Sequence, residues 1–337
     1  MVEKNCAKCM TGNIADATFC YSCGALLDEH SPRVNQRAES KFIKTFRSRW
    51  SIVWILAGIF VVFTILGLST FLFNDLNELD EFTGLLLSST AMYGLMLLWV
   101  LWLRYKNGLS LNVLLGKLSR LRSIKVHYLI LMVLVGMGFS IASTYISIYL
   151  LIQLFGEIFW LDKLFDGTDL WPQQFDSLKA YLHTIFVVLL LVLIAPVFEE
   201  IVFRGIFMTR WVVKWGYKRG IILSSILFGV LHPGVMGPSV MGIILCLLYI
   251  RTKSLWVSVL FHMINNSIVV LLVLITNDRG SINSEEFDSS ANILPILILF
   301  IVTTSIIAFI LYNLRPLKSD IIPYEHNMRN LNNSVDK

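Results

Sequence analysis

The sequence predicts an all-α polytopic membrane protein with about eight transmembrane helices, preceded by a small cysteine-rich unit. The 337 residues are 56% hydrophobic and only 15% charged, whereas soluble domains carry about 25% charged residues. Mean hydropathy is +0.69, and long apolar stretches recur between residues 50 and 314. The modest net charge of +5 comes mostly from short loops beside these stretches, which argues against nucleic acid as a partner.

The N-terminal unit, residues 1–30, contains four of the five cysteines. They form two C-x-x-C pairs, a spacing that lets four thiolates surround one Zn²⁺. A pair of disulfides is the alternative, and reducing cytosol would disfavour it. We therefore predict a structural zinc site that folds this short unit, separate from any site in the membrane. The unit resembles the zinc ribbons at the N-termini of many bacterial membrane proteins, and it is a candidate binding site for a cytoplasmic protein. The predicted zinc ligands are Cys6, Cys9, Cys20 and Cys23.

A basic linker, residues 31–49, separates this unit from the first apolar stretch. A stretch of about 20 apolar residues crosses the hydrocarbon core of a bilayer as a helix. The two stretches on either side of His232-Pro233-Gly234 are shorter and are interrupted by Gly or Pro. The predicted spans are 50–73, 85–103, 127–155, 180–198, 220–231, 235–250, 255–276 and 292–314, and the fourth can continue as helix toward Trp215.

The loop charges support this count, because cytoplasmic loops hold most Lys and Arg residues. With the N-terminus inside, the inner segments carry 23 basic residues, and the three outer loops carry 0, 2 and 1. We therefore expect a plasma-membrane protein with both termini in the cytoplasm. The inner segments are 31–49, 104–126, 204–219, 251–254 and 315–337, and the outer loops are 74–84, 156–179 and 277–291.

Ionisable residues within spans are costly and are functional candidates by default. Glu200 and Arg204 are four residues apart, so they share one face of a helix and can pair. Glu199 points roughly 100° away from Glu200 and has no such cation, a condition that suits a general base. His262 and Asn266 share a face of a later span, and His232 precedes a Pro-Gly break.

Together these side chains could hydrolyse a bond. Glu199 would activate water, an imidazole would hold that water or a divalent metal, and the pair of His262 and Asn266 would bind an oxyanion. Alternatively, Glu200 and Arg204 form a purely structural pair and the histidines are ordinary core residues. The H-E-x-x-H metalloprotease motif is absent from the sequence.

The ordered motifs E-E-x-x-x-R, F-x-x-x-H and H-x-x-x-N resemble the CPBP family of intramembrane proteases, which includes CAAX-processing endopeptidases and proteins linked to bacteriocin immunity. This resemblance implies an eight-helix fold with an intramembrane cavity. It also implies catalytic Glu199 and His232, supporting Glu200 and Arg204, and an oxyanion- or metal-facing pair of His262 and Asn266. The protease-like domain would be residues 120–314, preceded by transmembrane helices in 50–119 and followed by a polar cytoplasmic tail, 315–337.

We thus expect an intramembrane endopeptidase that acts on a membrane-anchored peptide or protein and is in contact with the lipid bilayer. Catalysis by glutamate alone and catalysis with a divalent metal both stay open. Two other classes are considered: a non-catalytic scaffold or immunity-type binding protein, and a transporter or proton relay. A transporter would be expected to show internal repeats, and the sequence shows none.

Overall fold

The structure is a computed structural model. It describes residues 3–6, 9–14, 17, 19–24, 27, 41–46, 81–155, 171, 177–232, 234–276, 293–317 and 320–335. The predicted first span, 50–73, and the predicted outer loop 277–291 lie outside the described residues.

Two short antiparallel strands lie in the N-terminal unit, and the rest of the described chain is helical. The strands are β1 (Glu3–Asn5) and β2 (Gly12–Ile14), paired through Lys4 and Asn13. The helices are α1 (Lys41–Thr45), α2 (Glu81–Asn107), α3 (Leu111–Leu115), α4 (Val126–Phe155), α5 (Leu178–Val230), α6 (Met236–Thr252), α7 (Leu255–Thr276), α8 (Leu294–Leu314) and α9 (Pro323–Val335), with a 3-10 helix at Leu118–Ser123.

The protein is a multi-pass helical membrane protein, as predicted. Within the described ranges, five helices are long and apolar enough to cross a bilayer, namely α2, α4, α5, α7 and α8, and α6 is a shorter apolar helix. Only 11% of the most apolar window of α2 and of α8 is buried inside the protein. Their remaining apolar side chains therefore face outward, where hydrocarbon is the favourable surrounding.

Helix α5 is a hairpin rather than one straight rod. Gly216 has φ 85° and ψ 167°, which breaks the helix and separates a first arm, residues 178–215, from a second arm, residues 217–230. The Ser224 hydroxyl donates to the Phe203 carbonyl at 2.8 Å, so the second arm runs back along the first. The hairpin accounts for the predicted fourth and fifth spans and for the helical extension toward Trp215.

Small residues let the second arm and α6 approach closely. A Cβ atom on Gly242 would lie 3.0 Å from Ser225 Cα, and one on Gly229 would lie 2.6 Å from the Val235 carbonyl oxygen. Close contact between small residues is a common basis for helix association in membranes, where apolar burial alone gives little driving force. The hairpin and α6 therefore form one packed unit.

The segments predicted to be cytoplasmic meet at one end of the molecule. Asn327 of α9 donates to the carbonyls of Val113 and Lys253, and the Tyr324 hydroxyl accepts from the Ser110 amide. Tyr324 is fully buried, so α9 is part of the core although it lies in the segment expected to be a polar tail. Arg210 donates to the Ile43 carbonyl and brings α1 to the same end.

Candidate active site

The paired glutamates lie on a short α-helical segment between two π-helical segments of α5. Ala195–Glu200 is α-helical, whereas Leu190–Ile194 and Ile201–Met208 are π-helical. A π-helical turn adds a residue to the turn and changes the direction of the side chains that follow, and such turns are frequent at functional sites. Pro196 lies near the start of the α-helical segment. The irregular backbone thus surrounds the residues singled out for chemistry.

Glu200 is the centre of a fully buried ionic cluster. Arg204 Nη1 donates to Glu200 Oε1 at 2.8 Å, and neither side chain has solvent exposure. His262 Nδ1 lies 3.1 Å from the same oxygen, so α7 is tied to the first arm of α5. The Arg204 guanidinium also stacks over the Phe228 ring, 4.1 Å from its centroid. The predicted pairing of Glu200 with Arg204 is confirmed.

Glu199 faces both histidines. Its Oε2 atom lies 3.5 Å from His232 Nε2 and 3.8 Å from His262 Nε2. The side chains of Glu199 and His232 are 16% and 29% exposed, whereas that of His262 is 3% exposed. The side chains of Glu199 and His232 are thus partly exposed, whereas the Glu199 Oε2 atom that faces the rings is buried and has no hydrogen-bond partner among the described residues.

The hydrogen bonds of the two histidines define how their rings are oriented. His232 Nδ1 donates to the Phe228 carbonyl at 2.7 Å, since a carbonyl oxygen can only accept. His262 Nδ1 donates in the same way to the Glu200 carboxylate. In the neutral form of each ring, Nε2 then carries a lone pair directed toward Glu199. These groups can accept a proton from a bound water, and protonated histidines can donate to an anion.

Asn266 makes a different contact from the one expected. Its Nδ2 atom donates to the Leu191 carbonyl at 2.8 Å, and its Oδ1 atom accepts from Asn265. Leu191 lies in the first π-helical segment, where a backbone carbonyl accepts from the N–H group five residues later in the chain. That residue is Pro196, which has no N–H. Asn266 therefore donates the hydrogen bond to the Leu191 carbonyl that Pro196 cannot donate.

The six predicted residues come together in this region, although they do so unequally. Glu199, Glu200, Arg204, His232 and His262 form one connected cluster, and Asn266 contacts the backbone below it. Sequence reasoning missed the π-helical segments and the role of the Leu191 carbonyl. The signal was Pro196, three residues before Glu199 and inside a predicted span.

The N-terminal cysteines form a second candidate site. Their four sulfur atoms lie within 4.8 Å of one another, with Sγ separations of 3.6 Å for Cys6–Cys23 and 3.4 Å for Cys9–Cys20. Tetrahedral zinc at 2.3 Å from each sulfur would give about 3.8 Å, whereas a disulfide needs about 2.05 Å. Hydrogen bonding with Thr11 lowers the pKa of the Cys9 thiol to about 6. The geometry and the thiolate character fit a metal ion.

The fold and the Glu–His cluster thus define a helical membrane protein with a cluster of ionisable side chains inside its spans. Residues 181–268 match the family model described as Rce1-like: Type II CAAX prenyl endopeptidase Rce1-like. This range contains all six predicted residues of the cluster, and the match confirms the resemblance inferred from the motifs.

One curated relative is the protein named "Putative membrane peptidase YdiL" of Bacillus subtilis (strain 168). It is 29% identical over 109 residues, which are 30% of this chain and 45% of that protein. The chain thus matches less than half of the relative's length. No solved structure matches this chain. The comparisons point to a CAAX-type membrane peptidase.

Proposed function

We propose that this protein is an intramembrane endopeptidase that hydrolyses a peptide bond of a membrane-associated peptide or protein. The observation that carries the proposal is the Glu199 carboxylate, whose buried and unpartnered Oε2 atom lies 3.5–3.8 Å from the Nε2 atoms of two histidines. The match of residues 181–268 to the Rce1-like family supports the same reaction class.

In the proposed reaction, Glu199 accepts a proton from a water molecule bound beside it and His232. The water oxygen forms a bond to the carbonyl carbon of the substrate, and the carbonyl becomes an oxyanion. An imidazole Nε2–H of His232 or His262, in the protonated ring, donates to that oxyanion. Glu199 then passes its proton to the amide nitrogen as the C–N bond breaks. The products are a carboxylate, which releases the second water proton, and an amine.

The two neighbouring glutamates have different tasks in this mechanism. Glu200 is held by Arg204 and accepts from His262, so it fixes the orientation of the imidazole. Glu199 has no arginine in hydrogen-bond contact, and its Oε2 atom has no hydrogen-bond partner within the described part of the chain. We infer that Glu200 and Arg204 position His262, and that Glu199 and the two histidines contact the reacting atoms.

We assign Asn266 a positioning role, since its amide donates to the Leu191 carbonyl. This contact fixes α7 against the π-helical segment that precedes Glu199. In place of the expected oxyanion binding, we propose that Asn266 fixes the backbone of the π-helical segment that precedes Glu199.

A metal-dependent reaction is the second candidate mechanism. Histidines that bind metals commonly donate their other ring nitrogen to a carbonyl or carboxylate, as His232 and His262 do. Among the described residues, only the N-terminal cysteines bring three or more metal-ligating atoms within 4.8 Å of one another. A divalent metal at Glu199 would therefore require the His232 and His262 rings to move closer together, and it would polarise the substrate carbonyl. Measuring metal content and activity in a variant that lacks the N-terminal cysteines would separate this mechanism from catalysis by glutamate alone.

We also propose that residues 1–30 bind one structural Zn²⁺ and that the protein resides in the plasma membrane with both termini cytoplasmic. Support for this orientation comes from the positively charged loops and from the contacts that unite Arg210, Lys253 and Asn327 with their neighbours at one end.

Comparing the membrane peptides of cells that produce wild-type protein or Glu199→Ala tests the proposed function. We expect an uncleaved membrane-associated peptide to accumulate only with the variant, and Lys218→Ala, an exposed change at the far end of the hairpin, to behave like wild type. Identical peptide profiles at equal protein levels would contradict the proposal.

A further inference from the structure

The N-terminal unit contacts the turn of the α5 hairpin through backbone atoms, at Gly24 on one side and Gly216 on the other. A Cβ atom on Gly24 would lie 2.7 Å from the Gly216 nitrogen and 2.8 Å from the Val212 carbonyl oxygen. In return, a Cβ atom on Gly216 would lie 2.7 Å from the Ser22 carbonyl oxygen. Real Cβ atoms essentially never come within 3.0 Å of such atoms. Neither surface can therefore carry a side chain at the contact.

Both glycines also have backbone angles that favour glycine. Gly24 has φ 71° and Gly216 has φ 85°, a region that costs other residues free energy. Gly24 immediately follows Cys23, and its amide donates to the Cys20 carbonyl at 2.8 Å. The backbone that meets the hairpin is thus the second C-x-x-C turn itself.

Hydrogen bonds and side-chain packing connect the cysteine cluster to this contact. Asn13 is buried, and its Nδ2 atom lies 3.7 Å from Cys20 Sγ, within the range of an N–H···S hydrogen bond. Its Oδ1 atom accepts from the Tyr21 amide at 3.0 Å. The Tyr21 side chain packs against the main apolar core of the helical part. A change in the metal site would therefore move the residues that dock on the hairpin.

The turn at Gly216 joins the two arms that carry the proposed chemistry. Glu199 lies on the first arm, and His232 follows the second. Gly220 packs directly on Val212, where a Cβ atom would lie 2.6 Å from the Val212 nitrogen. The spacing of the arms near the turn is therefore set by backbone contact.

We propose that the metal-loaded N-terminal unit is an intramolecular clamp whose binding partner is the Gly216 turn, and that metal binding by the four cysteines holds the two arms of the hairpin together. The Ser22–Gly24 backbone is then a docking surface for this chain's own hairpin, in place of the cytoplasmic protein partner expected from the sequence. The inference rests on the contact and the cysteine site, and it is independent of the peptidase proposal.

Hydrogen exchange of residues 209–219 tests the clamp in the full-length protein in lipid nanodiscs. We expect removal of Zn²⁺ by a chelator to accelerate exchange of these amides about tenfold, and added Zn²⁺ to restore protection. Cys20→Ser should have the same effect without a chelator. Gly24→Ala should accelerate exchange by a similar factor while zinc content stays at one ion per chain.

Gly216→Ala changes the other side of the contact without altering the zinc unit. It replaces Gly24→Ala in the test if Gly24→Ala loses zinc. The matched control is Gly108→Ala, because Gly108 also has φ 71° but meets only the Lys41 side chain at 3.4 Å or more. It should leave exchange of 209–219 unchanged. Wild-type protection after zinc loss, or equal effects of all three glycine variants, would overturn the clamp. Because the readout is exchange, this result is separable from the presence or absence of peptidase activity.

Discussion

The side-chain amide of Asn266 donates a hydrogen bond of 2.8 Å to the backbone carbonyl of Leu191. Pro196, whose position in the π-helical segment would otherwise supply the donor, has no N–H. The contact joins α7 to the first arm of α5 directly before the segment that carries Glu199. A side chain from one span thus completes the backbone hydrogen bonding of another, which is required where no water is available.

Asn266→Ala should leave the Leu191 carbonyl without a donor, which lowers the free energy of unfolding by about 1–3 kcal/mol. It should also reduce kcat more than it changes KM, because Glu199 loses its fixed position. Pro196→Ala introduces a backbone N–H, so the double variant should recover part of both losses. The measurement is steady-state kinetics beside denaturant unfolding. Failure of Pro196→Ala to rescue either quantity would favour an oxyanion role for Asn266.

Most of the site was predictable because its residues are ionisable side chains inside apolar stretches. The spacing of Glu200 and Arg204 predicted their pair, and the rotation of Glu199 away from Glu200 predicted its different surroundings. The contact of Asn266 was missed because a regular helix was predicted around Leu191, and Pro196 was the one sign that a backbone carbonyl there would need another donor.

The helical membrane fold was predictable from hydropathy for the same physical reason, the cost of charge in lipid. The burial of Tyr324 in α9 was missed because residues 315–337 are polar overall, although Pro323–Val335 is an amphipathic helix whose apolar face was a signal for packing. The contact of Gly24 with Gly216 also escaped sequence reasoning, because two glycines nearly 200 residues apart carry no pairing signal.

Arg204→Ala should lower the free energy of unfolding by about 3–5 kcal/mol, because it strands the fully buried Glu200 carboxylate. Glu200→Gln should also lower it, since Arg204 then loses its carboxylate and His262 its ionic acceptor. Denaturation followed by tryptophan fluorescence measures both changes. A stability equal to that of wild type in Arg204→Ala would show that Glu200 becomes neutral or finds another partner.

The proposed topology predicts opposite labelling of two single introduced cysteines. Ser284→Cys in loop 277–291 should react with a membrane-impermeant maleimide added to intact cells, and Ser123→Cys should react only after the membrane is opened. Both variants are made with Ser in place of Cys6, Cys9, Cys20 and Cys23, which would otherwise react from the inside. Cys246 is fully buried and should not contribute. Labelling of the Ser123 variant in intact cells would reverse the proposed orientation.

Metal analysis of the purified protein should give one zinc ion per chain bound at the N-terminal cysteines under reducing conditions. Cys9→Ser should remove most of it, because three thiolates bind zinc less tightly than four. Cys246→Ser is the matched control, since this cysteine lies in α6, away from the cluster, and it should keep full zinc content. A metal-free wild-type protein would contradict the zinc assignment.

The most direct test of the central claim is the cleavage rate per folded molecule of Glu199→Gln in lipid nanodiscs, measured on the peptide that accumulates in cells with Glu199→Ala. The amide keeps the size and polarity of the carboxylate but cannot accept the proton of water. We expect a loss of about 10²–10⁴-fold in kcat, with a free energy of unfolding close to that of wild type. Cleavage by Glu199→Gln at the wild-type rate would contradict the assignment of Glu199 as the base.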